Sequence, residues 1–167
     1  MSATTANNTI PEEYTEKHFY ELANDHIKSL NKKFREKAVI TKELQTKIIE
    51  CLSNSESHSF DSHFRTWCHI NFKLLNIGSQ TFLSDLKTHK PVLLFENMYS
   101  VYKQVHIDTN HGGRDKCLDE LSLHYSWYSR PLVQIFLKLC MPCQTRTTAK
   151  IPINSKPIIE LGNYKVF

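Results

Sequence analysis

Glycine is scarce in this sequence, with four residues in 167. That scarcity excludes the glycine-rich loops that cradle nucleotide phosphates and argues against a many-turned all-β sandwich. Long apolar runs are missing as well. The most apolar stretches, Pro91–Phe95 and Ile135–Leu139, are far too short to cross a bilayer, so no membrane association is expected. Residues 1–10 are polar and contain no apolar h-region, so a secretory signal is not expected and the stretch reads as disordered. The expected setting is intracellular and not secreted, with the nucleus open to it. Disulfides are disfavoured in such a reducing compartment. Charge is nearly balanced: 21 Lys+Arg against 17 Asp+Glu give +4, weak evidence by itself for a nucleic-acid partner.

What the sequence does hold is a helical pattern interrupted by one short β signal. Residues 11–55 read as a helical N-terminal region. Its first helix starts at Pro11 with acids in the first turn, and Tyr14, Phe19 or Tyr20, Leu22, Ala23 and Ile27 lie near one face. Lys32–Lys37 reads as a solvated face. A second helix is expected after the capping residue Thr41, burying Leu44, Ile48, Ile49 and Leu52. Ser53–Ser59 reads as a linker. Over 60–95 a short helix around 60–67 gives way to partial alternation at 69–77, a Gly78-Ser79 turn and a second run at 81–83. This predicts a β-hairpin, with Pro91–Phe95 as a third strand. Helices are expected at 98–107, 114–124 and 130–139, and residues 147–167 as an extended tail. The fold class is therefore mainly α with a small β-hairpin, followed by a compact helical segment.

Nine histidines and five cysteines are many for such a chain, and their placement is informative. Cys51, Cys68 and Cys117 read as small buried hydrophobes. The other two cysteines fall into a pattern. His106 is followed after four residues by His111; Cys140 and Cys143 follow across a 28-residue gap, with Met141-Pro142 between them. Two imidazoles and two thiolates make a borderline-soft tetrahedral set that suits zinc and suits calcium or magnesium poorly. The gap is long enough for two short helices, so the second pair can fold back onto the first. A segment this small rarely folds on its own core, and structural zinc supplies an apparent ~10–16 kcal/mol. One structural Zn²⁺ on His106, His111, Cys140 and Cys143 is therefore expected. Gly112-Gly113 would give the loop its sharp exit, and Leu118, Leu121, Tyr125, Trp127, Val133, Phe136 and Leu137 would supply the core. The bland alternative is a pair of buried cysteines and two surface histidines.

These residues carry a resemblance. His106-Ile-Asp-Thr-Asn-His111-Gly-Gly-Arg-Asp-Lys, then Tyr125-Ser-Trp, then Phe136-Leu-Lys-Leu-Cys140-Met-Pro-Cys143-Gln resembles the HHCC (H2C2) zinc-binding module of retroelement integrases of the Ty3/gypsy type. The closer resemblance is to domesticated or element-borne integrase-like proteins of the KRAB-A-domain-containing-protein-2 type. There, a region of the form Phe64-Arg-x-Trp67…Phe72-Lys-Leu precedes the module and a Lys156-Pro-Ile158 segment follows it. The resemblance spans roughly 60–160 and is strongest over 106–144. The family's aromatic signature departs to Ser126-Trp-Tyr128 here, which touches the core and not the ligands. The resemblance implies a C-terminal three-helix, helix-turn-helix-like zinc module over 96–146, used for multimerisation and for helping to hold element DNA ends.

Catalysis is not expected. Integrases join DNA with three carboxylates that hold two metal ions in a separate core domain, whereas the 24 residues after Cys143 contain one acid, Glu160. A fully liganded zinc has no open position for chemistry, and no small-molecule substrate is expected. Cys68-His69 and Cys117 with His124 are weak nucleophile–base pairs with no oxyanion hole in view. For DNA, the relevant cations are Arg114, Lys116, Arg130, Lys138, Arg146 and Lys150. The first sixty residues carry eight basic and nine acidic groups and the remainder thirteen and eight, so the positive field lies on the zinc half. Weak, salt-sensitive DNA binding and self-association are expected. The competing expectation is a protein-interaction domain in which zinc only staples the fold and DNA contact is absent.

Overall fold

A computed structural model of the chain describes residues 12–54 and 60–148. The tail at 147–167 beyond Thr148, with Lys150 and Lys156–Ile158, lies outside the described residues, as do the stretch at 1–10 and most of the 53–59 linker. The described chain is mainly helical with a single two-stranded antiparallel sheet. The first helix, α1 (Glu12–Ser29), buries Phe19 and Ala23, four residues apart on one face. The basic stretch after it forms one short helical turn, α2 (Lys32–Arg35), with no buried residue. Helix α3 (Lys42–Ser53) starts where its cap predicts: the Thr41 hydroxyl accepts from the Leu44 amide at 3.1 Å. Asp61 does the same for α4 (Ser62–Asn71), accepting from the His63 amide at 3.0 Å.

The hairpin follows directly. Strand β1 (Phe72–Ile77) pairs with β2 (Gln80–Asp85) in the register Phe72↔Asp85 to Ile77↔Gln80. The loop is Gly78-Ser79, and Gly78 sits at φ 61°, the left-handed backbone that two-residue hairpin turns require. The expected third strand does not form. Residues 91–95 instead run extended between three different partners: Pro91 bridges Ser84, Val92 bridges Ser126, and Leu94 bridges Ile40. Pro91 has no N–H to offer a ladder. The next amides go to Leu83, Ser126 and Ile40 in turn, so the segment stitches regions together without extending the sheet.

A 3-10 turn at Phe95–Asn97 leads into α5 (Met98–Asp108), then α6 (Arg114–His124), α7 (Arg130–Leu139) and α8 (Met141–Thr148). The C-terminal module thus has one helix more than expected. Its extra helix, α8, carries Pro142 at its second position, where the missing N–H belongs to the unpaired first turn and breaks no helical bond. Glu96 links the N-terminal helices to this module. Its carboxylate accepts from the Lys42 amide at 3.0 and 3.1 Å at the start of α3, and its carbonyl accepts from the Tyr20 hydroxyl of α1 at 2.7 Å.

Two cores result. The first gathers Phe19 and Ala23 of α1 with Met98, Tyr99, Tyr102 and Val105 of α5, Cys117 and Leu121 of α6, and Leu132, Val133 and Phe136 of α7. Phe19 lies at its centre, with ring centroids 5.6 Å from Tyr99, 6.1 Å from Tyr102 and 6.2 Å from Phe136. The second gathers Ile40, Ile48, Cys51, Cys68, Phe72, Leu83 and Val92. Trp127, expected in the first core, belongs to the second: its ring lies 4.7 Å from Phe72 and 5.9 Å from Trp67.

Candidate metal centre

The helical end of α5 sets the histidine pair. Its last turn closes with the Asn110 amide donating to the Ile107 carbonyl at 2.8 Å and the His111 amide to the His106 carbonyl at 2.8 Å. This is the paired bond pattern of a Schellman motif, and it makes His106 and His111 the two ends of one hydrogen-bonded loop. The four-residue spacing is thus the span of that cap. The motif needs left-handed backbone, which Asn110 (φ 54°) supplies at modest cost; His111 follows at φ 55°. The expected role of Gly112-Gly113 is corrected here, because neither residue takes positive φ. Gly112 is required by space: a Cβ there would come within 2.8 Å of Thr109 Oγ1 and 3.0 Å of its Cβ. A Cβ at Gly113 would meet nothing within 4 Å.

The cysteine pair sits at the joint between α7 and α8. Cys140 ends α7 in extended backbone (ψ 104°), and its carbonyl accepts from the amides of Cys143 (3.1 Å) and Gln144 (3.0 Å) as α8 begins. One helical turn therefore brings both sulfurs to the same side.

All four expected ligands come together. Their donor atoms lie within 4.8 Å of one another. His106 Nε2 is 3.1 Å from His111 Nδ1 and 3.2 Å from each of the two sulfurs. His111 Nδ1 is 3.5 Å from Cys140 Sγ and 3.8 Å from Cys143 Sγ. Tetrahedral zinc, with bonds of about 2.3 Å to sulfur and about 2.0 Å to nitrogen, spaces its nitrogens by about 3.3 Å and nitrogen from sulfur by about 3.6 Å. The five nitrogen–nitrogen and nitrogen–sulfur distances match that spacing to within a few tenths of an ångström, and the two sulfurs lie within 4.8 Å of each other.

The surroundings favour metal ligation over hydrogen bonding. The Gly112 carbonyl lies 3.1 Å from His106 Nδ1. A carbonyl can only accept, so Nδ1 carries the proton and the Nε2 lone pair faces the cluster. His106 is buried, and burial lowers its pKa, with the neighbouring His111 acting in the same direction. The neutral imidazole that a metal needs is thereby favoured. Burial also pushes the Cys143 thiol up, reinforced by Cys140; a bound cation reverses that balance by deprotonating the thiols it coordinates. Cys117 lies behind this set, its sulfur 3.7 Å from His106 Nδ1 and 3.4 Å from the Gly112 carbonyl. It supports the histidine from the side that faces away from the donor cluster. The group can hold a metal ion, and with four protein ligands that ion would join the end of α5 to the α7–α8 joint.

Cys51 and Cys68 are buried neighbours in the second core, and burial together with Cys51 pushes the Cys68 thiol up to about 12. His69 is exposed while Cys68 is buried, so the two point apart. Cys117 is likewise buried, while His124 is exposed and engaged 3.1 Å from Glu120. Of the DNA-binding expectations, Arg114 and Lys116 are exposed at the start of α6, with Arg114 held by Asp115 at 2.8 Å. Lys138 is exposed at the end of α7 and Arg146 on α8 near Cys143, and Arg130 is exposed at the opposite end of α7. Lys90, which lines a cleft together with Arg130, was not among the expected residues because only the path of segment 86–95 brings it there. No helix among the described residues is long and apolar enough to cross a membrane.

No protein-family model matches the chain, and no solved structure matches it. The class of site rests on its own geometry: a closed two-histidine, two-cysteine group able to bind a metal.

Proposed function

We propose that this chain is a non-catalytic, zinc-stapled nucleic-acid-binding module of retroelement-integrase origin. The observation that carries the reading is the convergence of His106, His111, Cys140 and Cys143, spaced in sequence as in the HHCC module and with donor atoms within 4.8 Å of one another, close enough to hold one metal ion. Zinc is favoured over other ions by the donor set: two thiolates select against calcium and magnesium, and four protein ligands leave no position for a catalytic water. When bound, the ion supplies folding energy and no chemistry. His106 and His111 fix the end of α5 to it, Cys140 and Cys143 fix the α7–α8 joint, and the helices between keep their apolar faces on Phe19 and Phe136. Support for nucleic acid comes from the positive field of the C-terminal part and from exposed Arg114, Lys116, Arg130, Lys138 and Arg146. The expected homo-oligomer belongs to the same reading.

The test has two parts. Protein purified without chelator should carry one zinc per chain, and Cys140→Ser should abolish it. The loaded protein should bind duplex DNA at ~50 mM salt and release it as salt rises, because phosphate contacts are counterion-driven. Zinc without any retention on DNA at ~50 mM salt would leave the second reading, a protein-interaction module with a metal staple. That reading is favoured by one observation. Half-exposed Ile107 and Met141 border an apolar groove of about 290 Å³ beside the ligands, which also includes Tyr99, Phe136 and Leu139.

A further inference from the structure

The turn at 86–90 and the α6–α7 connection at 125–129 face each other across a cleft of about 470 Å³. The cleft is built, not left over. Each wall holds a non-glycine residue in left-handed backbone, His89 at φ 60° and Trp127 at φ 61°, a conformation that bulky residues keep only where the surroundings enforce it. Asp85 is the pin. Its carboxylate accepts from the Thr88 amide (2.7 Å) and hydroxyl (2.8 Å) on one wall and from the Trp127 indole nitrogen (3.0 Å) on the other. The Ser126 hydroxyl donates to the carbonyls of Lys90 and Pro91, and the Lys90 ammonium reaches the Ser122 carbonyl across the gap.

Those groups are spent on architecture; others are not. The Arg130 side chain is exposed and makes no hydrogen bond or ion pair with any described residue. Tyr125 and Tyr128 are half-buried in the lining, and their hydroxyls donate no hydrogen bond among the described residues. Lys90 has two further N–H bonds, and exposed Lys87 lies on the same turn. The one carboxylate in the lining, Asp85, is enclosed by donors. The cleft therefore offers the uncommitted Arg130 guanidinium and the remaining N–H bonds of Lys90 beside aromatic rings, which suits an anion carrying a flat apolar face.

We propose that this cleft takes an unpaired nucleotide of a single-stranded nucleic acid, its phosphodiester on Arg130 and Lys90 and its base against Tyr125 and Tyr128. The proposal rests on the nucleic-acid reading above and gives it a substrate class. Duplex DNA keeps its base faces stacked on one another, so only a single strand or a frayed end can present one to a tyrosine. Stacking platforms beside cationic tracks are the general solution for single strands. The site is distinct from the metal group, which shares none of its lining residues.

The experiment is fluorescence anisotropy of zinc-loaded protein with a labelled oligothymidylate of about 12 nucleotides and a labelled duplex of equal length, at ~50 mM salt. The variants are Arg130→Glu and, for an equal charge change outside the cleft, Lys33→Glu on α2. Both residues are exposed and lack described partners, so unchanged melting is expected. The single strand should bind more tightly than the duplex. Arg130→Glu should weaken it about tenfold or more and Lys33→Glu no more than about twofold, and the salt slope should fall by roughly 0.7 in Arg130→Ala. Equal losses in the two charge reversals, or binding confined to the duplex and indifferent to Arg130, would overturn the cleft and leave the nucleic-acid reading standing. No binding of either probe would overturn both.

Discussion

The two cores use similar residues and close in different ways. Around the hairpin, Trp67, Phe72 and Trp127 stack edge and face, Thr41 and Asp61 cap the flanking helices, and Asp85 ties the turn to Trp127. Every one of those contacts is made by the chain itself. Around α5–α8 the aromatic centre is as dense, with Phe19 among Tyr99, Tyr102 and Phe136, but its outer edge ends in four inward-facing donor atoms. Four such atoms held that close are tolerable with a cation among them and costly without one. One half should therefore fold on packing alone and the other on packing plus an ion, although α1 and Glu96 bind the two together.

The contrast breaks most sharply at the ligands. His111→Ala or Cys140→Ser should unfold the α5–α8 half, because apparent metal binding of ~10–16 kcal/mol is folding energy in small zinc modules. Hydrogen exchange by mass spectrometry should show α5, α6 and α7 losing protection while β1 and β2 keep much of theirs. Retained cooperative melting and helicity in either variant would contradict the dependence. Trp127→Ala is the converse. It should cost about 3–5 kcal/mol, deprotect the hairpin first, and be no better rescued by added zinc than by buffer.

Asn110→Ala probes the cap that spaces the histidines. A Cβ-bearing residue without a polar side chain at φ 54° should cost about 1–2 kcal/mol, whereas Asn110→Gly should be neutral or stabilising. Zinc affinity, read by competition with a chromophoric chelator, should fall in the alanine variant alone. The smallest effect is a pH dependence on the hairpin side. Partial burial raises the Asp85 carboxyl, but the Thr88 amide and hydroxyl, Trp127 and the Lys87 amide outweigh it and hold the pKa below the usual carboxylate range. A depressed folded-state pKa means that stability is present above the unfolded carboxylate value and lost as pH falls through the folded one. Acid should thus loosen the hairpin half, and Asp85→Asn should flatten that part of the stability–pH curve.

Much of this was legible in sequence where local signals decide. Thr41 named its helix start, Gly78-Ser79 named the hairpin loop, and the spacing of His106, His111, Cys140 and Cys143 named the cluster, because chelating pairs are local features and the gap length brings them together. Mainly α with one small hairpin was readable for the same reason. Long-range competition hid the rest. Pro91–Phe95 has strand composition, but its amides are claimed by three separate partners. Trp127 lies in the C-terminal stretch and yet packs on Phe72, because its left-handed backbone turns the ring toward the hairpin. Asn110 was the readable clue that Gly112-Gly113 obscured: an Asn just past a helix end marks a left-handed cap. Helix α8 was hidden by Pro142, which reads as a breaker unless it falls in a first turn.

The most direct test of the metal centre is zinc-edge X-ray absorption on protein purified without chelator. The spectrum should show two sulfur scatterers at about 2.3 Å and two nitrogen scatterers at about 2.0 Å, in a four-coordinate site. A shell of nitrogen and oxygen alone, a higher coordination number, or protein free of zinc would contradict it.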